Sequence, residues 1–242
     1  ADSAVGDEFT EDLITYRVIS ESDATVTVYS SNFYDSSTNV SIPDTVDHNS
    51  VEYDVVSISN NAFSGQYNIT SISIGDNVRA IGNSAFLNCG GLTSVNLNSV
   101  ESIGKEAFLG CYSLSSISIP KSVTSLGEYI FSYCTGLTAI NVDVDNPTYS
   151  SVDGVLFNKD KSDILIFPRN RSGEYSVPAT VTSIANGVFQ NCKISSVTFL
   201  GNTTSIGDNS FENCDSLISI SLPNSLVSIG VSAFNGCDAL ES

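Results

Sequence analysis

Apolar and polar residues alternate in short bursts along most of this chain. In residues 92–114, LTSVNLNSVESIGKEAFLGCYSL, Leu92, Val95 and Leu97 fall on one side and Ser94 and Asn96 on the other. That is the period-two pattern of a short strand with one face buried. Val100 and Ile103 follow through a turn into an extended return. Gly104 then permits a tight bend, and residues 105–111 have room for about one helical turn that aims Phe108 and Cys111 inward.

The same phrase recurs. Phe63, Phe86, Phe108, Phe131, Phe189, Phe211 and Phe234 are separated by 23, 22, 23, 58, 22 and 23 residues. Three residues after each comes Cys89, Cys111, Cys134, Cys192, Cys214 or Cys237, with Gln66 in that slot after Phe63. Five residues before each lies Ile58, Ile81, Ile103, Leu126, Ile184, Ile206 or Ile229. A fixed period of this length marks a repeat array. One such coil cannot bury its own apolar side, whereas stacked coils bury one another's.

The consensus L-x-x-[IV]-x-[IL]-x-x-x-[VL]-x-x-[IL]-G-x-x-[AS]-F-x-x-C resembles the leucine-rich repeat, specifically the BspA-type repeat of bacterial surface proteins. Two departures from the general leucine-rich pattern point the same way. Val100, Val123 or Leu226 stands where a buried Asn usually follows the strand, and Cys stands where a convex Leu usually follows Phe. The resemblance covers residues 55–242, with repeats starting near 55, 78, 100, 123, 181, 203 and 226 and an insertion over 144–180. It implies a repeat solenoid with parallel strands on the concave side, short helical or irregular convex segments, and a β-rich cap over residues 1–54.

The segments outside the period carry their own patterns. Tyr16, Val18, Val26 and Val28 alternate with polar residues around ESDA, which predicts a β-hairpin covering the first coil, and residues 41–58 lead into that coil. Residues 154–168, GVLFNKDKSDILIFP, set two apolar runs around a polar turn and predict a second hairpin. Four of the nine bases, Lys159, Lys161, Arg169 and Arg171, gather here among Tyr149, Phe157, Phe167 and Tyr175. Arg and Tyr are favoured at interfaces, so these bases with Tyr149 and Tyr175 form a candidate contact site. The competing reading is that the aromatics fill a local core and the bases are solvated.

Charge narrows the function. The 242-residue chain has 27 acids against nine bases, a net charge of −18, with polarity supplied mainly by Ser, Thr and Asn. Such a surface disfavours nucleic acid and anionic membranes, whose binding needs clustered Lys and Arg. No apolar run approaches the roughly 18 residues of a transmembrane helix. The chain opens at Ala1 without a basic and apolar leader, the form expected after removal of an export signal. It closes on GCDALES in mid-repeat, where the pattern predicts further chain.

Catalytic and metal chemistry find little footing. Identical slots on stacked coils lie about 4.8 Å apart with parallel Cβ vectors, whereas a disulfide wants Cβ atoms near 3.8 Å. A ladder also fails to converge on a metal. The six cysteines are therefore expected as free, buried packing residues. His48 is the single histidine and reads as a loop residue with no nucleophile motif to serve. NKDKSD (158–163) carries oxygens at alternate positions but lacks the Gly of a calcium loop and has Arg169 where its Glu belongs, while DVDN (143–146) is a candidate for weak calcium binding at the insertion boundary. No catalytic, metal or cofactor site is assigned. Asn39, Asn68 and Asn202 stand in N-x-[ST] sequons, relevant in a eukaryotic secretory setting.

The outward strand positions form a nearly uncharged face rich in hydroxyls: Thr70, Ser71 and Ser73; Thr93, Ser94 and Asn96; Ser115, Ser116 and Ser118; Thr138, Ala139 and Asn141; Ser195, Ser196 and Thr198; Ile218, Ser219 and Ser221. Resemblance to BspA-like proteins implies a non-catalytic extracellular binding or adhesion module at the cell surface, contacting host proteins or glycans. The alternative is a structural spacer within a larger surface protein. The sequence leaves the ligand and the oligomeric state open.

Overall fold

The computed structural model describes residues 4–35 and 38–241. The chain is a β-solenoid built as two compact units, residues 1–136 and 137–242. No helix occurs among the described residues.

In the first unit, Ile14–Ser20 and Thr25–Ser31 form an antiparallel hairpin, with Tyr16 opposite Val28 and Val18 opposite Val26. All four side chains are buried. Strand Thr25–Ser31 then pairs in parallel with Val51–Ile58, and that strand pairs with Ala80–Ile81, followed by Ser102–Ile103 and Ser125–Leu126. The N-terminal hairpin thus continues the sheet of the array, satisfying the edge that the first coil would otherwise leave open. A second parallel row runs Thr38–Ile42, Ile69–Ile74, Ser94–Asn96, in register Val40, Ile72, Val95. Val40 and Ile72 turn into the core between the two rows.

His48 is not in a loop. It ends strand Thr45–His48, which pairs with Val51–Ile58 across Asn49 and Ser50, both at positive φ (51° and 66°). A two-residue turn with both φ positive matches the twist of a hairpin. The imidazole stacks on Phe9 with ring centres 4.0 Å apart.

The convex segments are irregular turns, for a local reason. Glu106 has φ 58° and Gly110 φ 74°, so the backbone leaves the right-handed helical region twice within residues 105–111. Bonds from Ala107 N to Gly104 O, Leu109 N to Glu106 O and Cys111 N to Phe108 O still close tight turns. These turns aim Phe108 and Cys111 inward, and both are fully buried. Gly104 answers a different demand from the bend predicted. A Cβ there would lie 2.7 Å from the backbone nitrogen of Asn83 in the preceding coil, and one at Gly127 would lie 2.3 Å from that of Lys105. The glycine slot lets neighbouring coils approach.

The phenylalanines form a ring stack. In the first unit, Phe33, Phe63, Phe86, Phe108 and Phe131 follow at centre-to-centre steps of 6.4, 5.1, 5.1 and 5.9 Å. The second unit has its own stack: Phe189 to Phe211 is 4.7 Å and Phe211 to Phe234 is 5.2 Å. Its parallel rows are Ser172–Val177, Lys193–Phe199, Ser219–Ser221 and Ser183–Ile184, Ser205–Ile206, Ser228–Ile229. Residues 149–166 interpose three antiparallel strands, Tyr149–Val152, Val155–Asn158 and Ile164–Ile166.

Replacing Phe108 by Ala should destabilise the fold by about 3–5 kcal/mol, as large buried truncations do. Phe234→Ala, at a half-buried ring, should cost less. Urea unfolding followed by circular dichroism checks both, and an unchanged midpoint for Phe108→Ala would contradict the stack.

Candidate functional site

The cysteine slot combines packing with a directed contact. Cys89 Sγ donates to Phe63 O (3.1 Å), Cys111 to Phe86 O (3.4 Å) and Cys134 to Phe108 O (3.1 Å). Cys214 donates to Phe189 O (3.0 Å) and Cys237 to Phe211 O (3.0 Å). Each thiol therefore serves a carbonyl of the preceding coil, a partner that sequence reasoning missed because it treated Cys as filler. All six cysteines are free. Cys192, the first after the insertion, reaches only Gln190 O at 3.9 Å.

Gln66 shows why the slot changes at the first coil. Its side-chain oxygen accepts from Phe33 N (2.6 Å), and its nitrogen donates to Ser31 O (3.3 Å). Here the preceding layer offers both a donor and an acceptor, and an amide satisfies both where a thiol satisfies one.

Burial disfavours thiolate. It pushes Cys89 and Cys214 up to about 12 and raises Cys192 further, while the hydrogen bond with the Cys134 thiol, helped by burial, holds Cys111 well above the ordinary thiol value. None is poised as a nucleophile, which needs a lowered pKa. Among the described residues no three His, Cys, Asp or Glu side chains converge as a metal-binding group. Side-chain oxygens of residues 158–163 bond within their own turn, while the carbonyls of Asn158 and Lys161 accept from Ser150 Oγ and Thr180 Oγ1. Asn158 Nδ2 donates to Ser162 Oγ and Asp163 Oδ2, and Asp160 Oδ1 accepts from Ser162 Oγ. In residues 143–146, Asp143 Oδ1 accepts from Asp145 N, and buried Asn146 accepts from the amides of Thr148 and Tyr149.

The insertion residues divide. Lys159 is exposed, yet its ammonium donates to the carbonyls of Val144 and Asn146. Arg171 donates to Asp153 O and lies over the rings of Phe167 and Tyr175, 5.9 and 5.6 Å from their centres. Lys161, Arg169 and Tyr149 are half-buried. Tyr175 is 7% exposed and packs with Phe167 against Phe189. It belongs to the core of the second unit, where it helps start the ring stack, so its ring is not offered to a partner. Its hydroxyl has no hydrogen-bond partner among the described residues, and burial raises its pKa.

The outward strand rows keep their register. Asn39, Ser71 and Ser94 align in the first unit, as do Ser41, Ser73 and Asn96. In the second unit, Ser176, Thr198 and Ser221 align. Asn39 Oδ1 accepts from Thr70 Oγ1 (3.0 Å) and Ser71 Oγ (2.7 Å), so part of this row is bonded along itself.

The model of the BspA type leucine rich repeat region matches residues 56–172 and 166–242, in six copies. The chain belongs to the BspA-type leucine-rich repeat family. No curated protein matches it significantly. Solved bacterial structures, two of them named as leucine-rich repeat proteins, share its fold. The pneumococcal vaccine antigen PcpA is 20% identical over 99% of this chain and 81% of its own, with a TM-score of 0.67. A leucine-rich repeat protein of Eubacterium ventriosum is 22% identical over 96% of this chain and 69% of its own, with a TM-score of 0.63. The T. pallidum leucine rich repeat protein is 24% identical over 98% of this chain and 92% of its own, with a TM-score of 0.55. The BspA-type array is a repeat module of the kind that presents binding surfaces.

Two outcomes follow for the thiols. Iodoacetamide at pH 8 should label Cys237 first, the one cysteine that is only half-buried, and should reach the others only on unfolding. Rapid labelling of all six in the native chain would contradict the buried ladder. Stability should also fall in alkali. Cys89 and Cys214 keep their protons to about pH 12 in the native state, against 9.0 for the unperturbed thiol. Between those values the unfolded chain binds fewer protons, so unfolding gains as pH rises. The contribution is complete below about pH 9 and is lost toward pH 12. Thermal melts across this window should show the decline, and a Cys89→Ala, Cys214→Ala variant should show a shallower one.

Proposed function

We propose that this chain is a non-catalytic binding module of a bacterial surface protein that contacts host proteins or glycans outside the cell. The observation that carries the reading is the gathering of Lys159, Lys161, Arg169 and Arg171 on the insertion of an otherwise strongly acidic solenoid. A basic patch in an acidic field steers anionic groups to one place. Tyr149 lies at the start of the same three-stranded sheet, and the hydroxyl rows offer a polar surface suited to weak, repeated contacts. The fold shared with a pneumococcal vaccine antigen supports surface display.

Saturable binding to immobilised host matrix proteins or mucin glycans at physiological salt is the expected result. A variant with the four bases changed to Ser should bind at least tenfold more weakly. Because Lys159 and Arg171 bond to loop carbonyls, the variant's melting midpoint is measured alongside. Undiminished binding would move the contact to the strand rows. No binding to any of these surfaces would leave a spacer as the better account.

A further inference from the structure

The two rows of the first unit do not end together. Among the described residues, strand Thr38–Ile42 is the outermost of its row and is paired on one side only, with Ile69–Ile74. The opposite sheet runs on past it through Thr25–Ser31, Ile14–Ser20 and Glu8–Glu11. The result is an open strand edge standing over a shelf. A groove of about 520 Å³ follows this edge, with Ile14, Tyr16 and Val46 below and Glu11, Asp12 and Asp47 along its rim.

Three features of the groove converge on one occupant. First, alternate residues of an unpaired edge strand turn N–H and C=O outward, a row that another extended chain satisfies directly. The strand TNVSI carries no Lys or Pro within it, the usual devices that discourage such pairing. Second, the groove leaves room beside the edge for the alternate side chains of an added strand, above Ile14, Tyr16 and Val46, which are themselves buried. Third, every charged residue of the lining is acidic. The carboxylates of Glu11, Asp12 and Asp47 make no hydrogen bond or ion pair among the described residues, and no Lys, Arg or His lines the groove.

We propose that this groove binds an extended, basic peptide segment of a partner protein by strand addition to Thr38–Ile42. Main-chain bonds to the open edge hold the segment. Its alternate side chains enter the groove, where Lys or Arg meets Glu11, Asp12 and Asp47. The inference rests on the reading of the chain as a binding module. Its site is separate from the insertion, so the four-base variant that tests that reading should bind the peptide as the parent does.

The test uses the whole chain and three synthetic peptides: alternating Val and Lys, alternating Val and Glu, and the Val–Lys peptide N-methylated at every second amide. The Val–Lys peptide should bind saturably at one per chain and slow amide exchange in Thr38–Ile42. The Val–Glu peptide should not bind, and the N-methylated peptide should bind at least tenfold more weakly despite its equal charge. A Glu11→Gln, Asp12→Asn, Asp47→Asn variant should lose at least tenfold in affinity for the Val–Lys peptide while keeping its melting midpoint. Equal binding of the N-methylated peptide would reduce the effect to unspecific attraction by an acidic protein and overturn the proposal. So would undiminished binding by the triple variant. A chain whose Thr38–Ile42 amides are already protected in a self-paired dimer would also overturn it.

Discussion

Everything in this molecule follows from the stacking of one coil on the next through its phenylalanine. A coil of 22 or 23 residues has no interior of its own. With ring centres as close as 4.7–5.2 Å, the remaining slots are dictated. The glycine before the turn must lack a Cβ because the neighbouring backbone is already there. The cysteine must be small enough for the layer and still offer a hydrogen to the carbonyl behind it. Asn83 Oδ1 receives Lys105 N at 2.9 Å, and Asn186 Oδ1 receives Asp208 N at 2.8 Å, so side chains bond across the same gap. Identity along the sequence is the imprint of one contact made repeatedly.

The insertion shows what happens where that contact has to begin again. Phe167 and Tyr175 meet Phe189 tilted rather than parallel, at 52° and 54°. Two rings of unequal orientation occupy the place of one stacked ring. Cys192, immediately above, has no Phe carbonyl at hydrogen-bond distance and the longest thiol contact of the series. Arg171 covers the outer side of this aromatic pair. The region richest in bases is thus partly committed to closing its own core.

Much of this was legible in the sequence because it is periodic. The Phe and Cys slots, the strand alternation and both hairpins are local signals repeated or bounded by turn residues. What was hidden depends on relations between residues that no period links. Phe33 heads the ring stack although it lies 30 residues before Phe63, outside the repeat spacing. Glu106 and Tyr129 adopt positive φ (58° and 57°) in a slot held elsewhere by Asn, Ser or Gly, and neither residue type announces a left-handed turn. Tyr175 reads as an interface aromatic until its burial places it in the core. The groove beside Thr38–Ile42 draws on three separate stretches, Glu11–Tyr16, Thr38–Ser41 and Thr45–Asp47, that only the sheet order brings together.

Gln66 fixes the join between the hairpin and the coils by bonding both to Phe33 and to Ser31. The coils that follow it in the first unit do not depend on that join, because Cys89, Cys111 and Cys134 each address the phenylalanine carbonyl one layer back. Copy number is thereby uncoupled from the start of the array. Whole coils can be gained or lost between Phe86 and Phe131 with the same bonds re-formed across the new neighbour. The reach of such a protein is free to vary over evolution while its N-terminal end, with whatever that end recognises, stays constant.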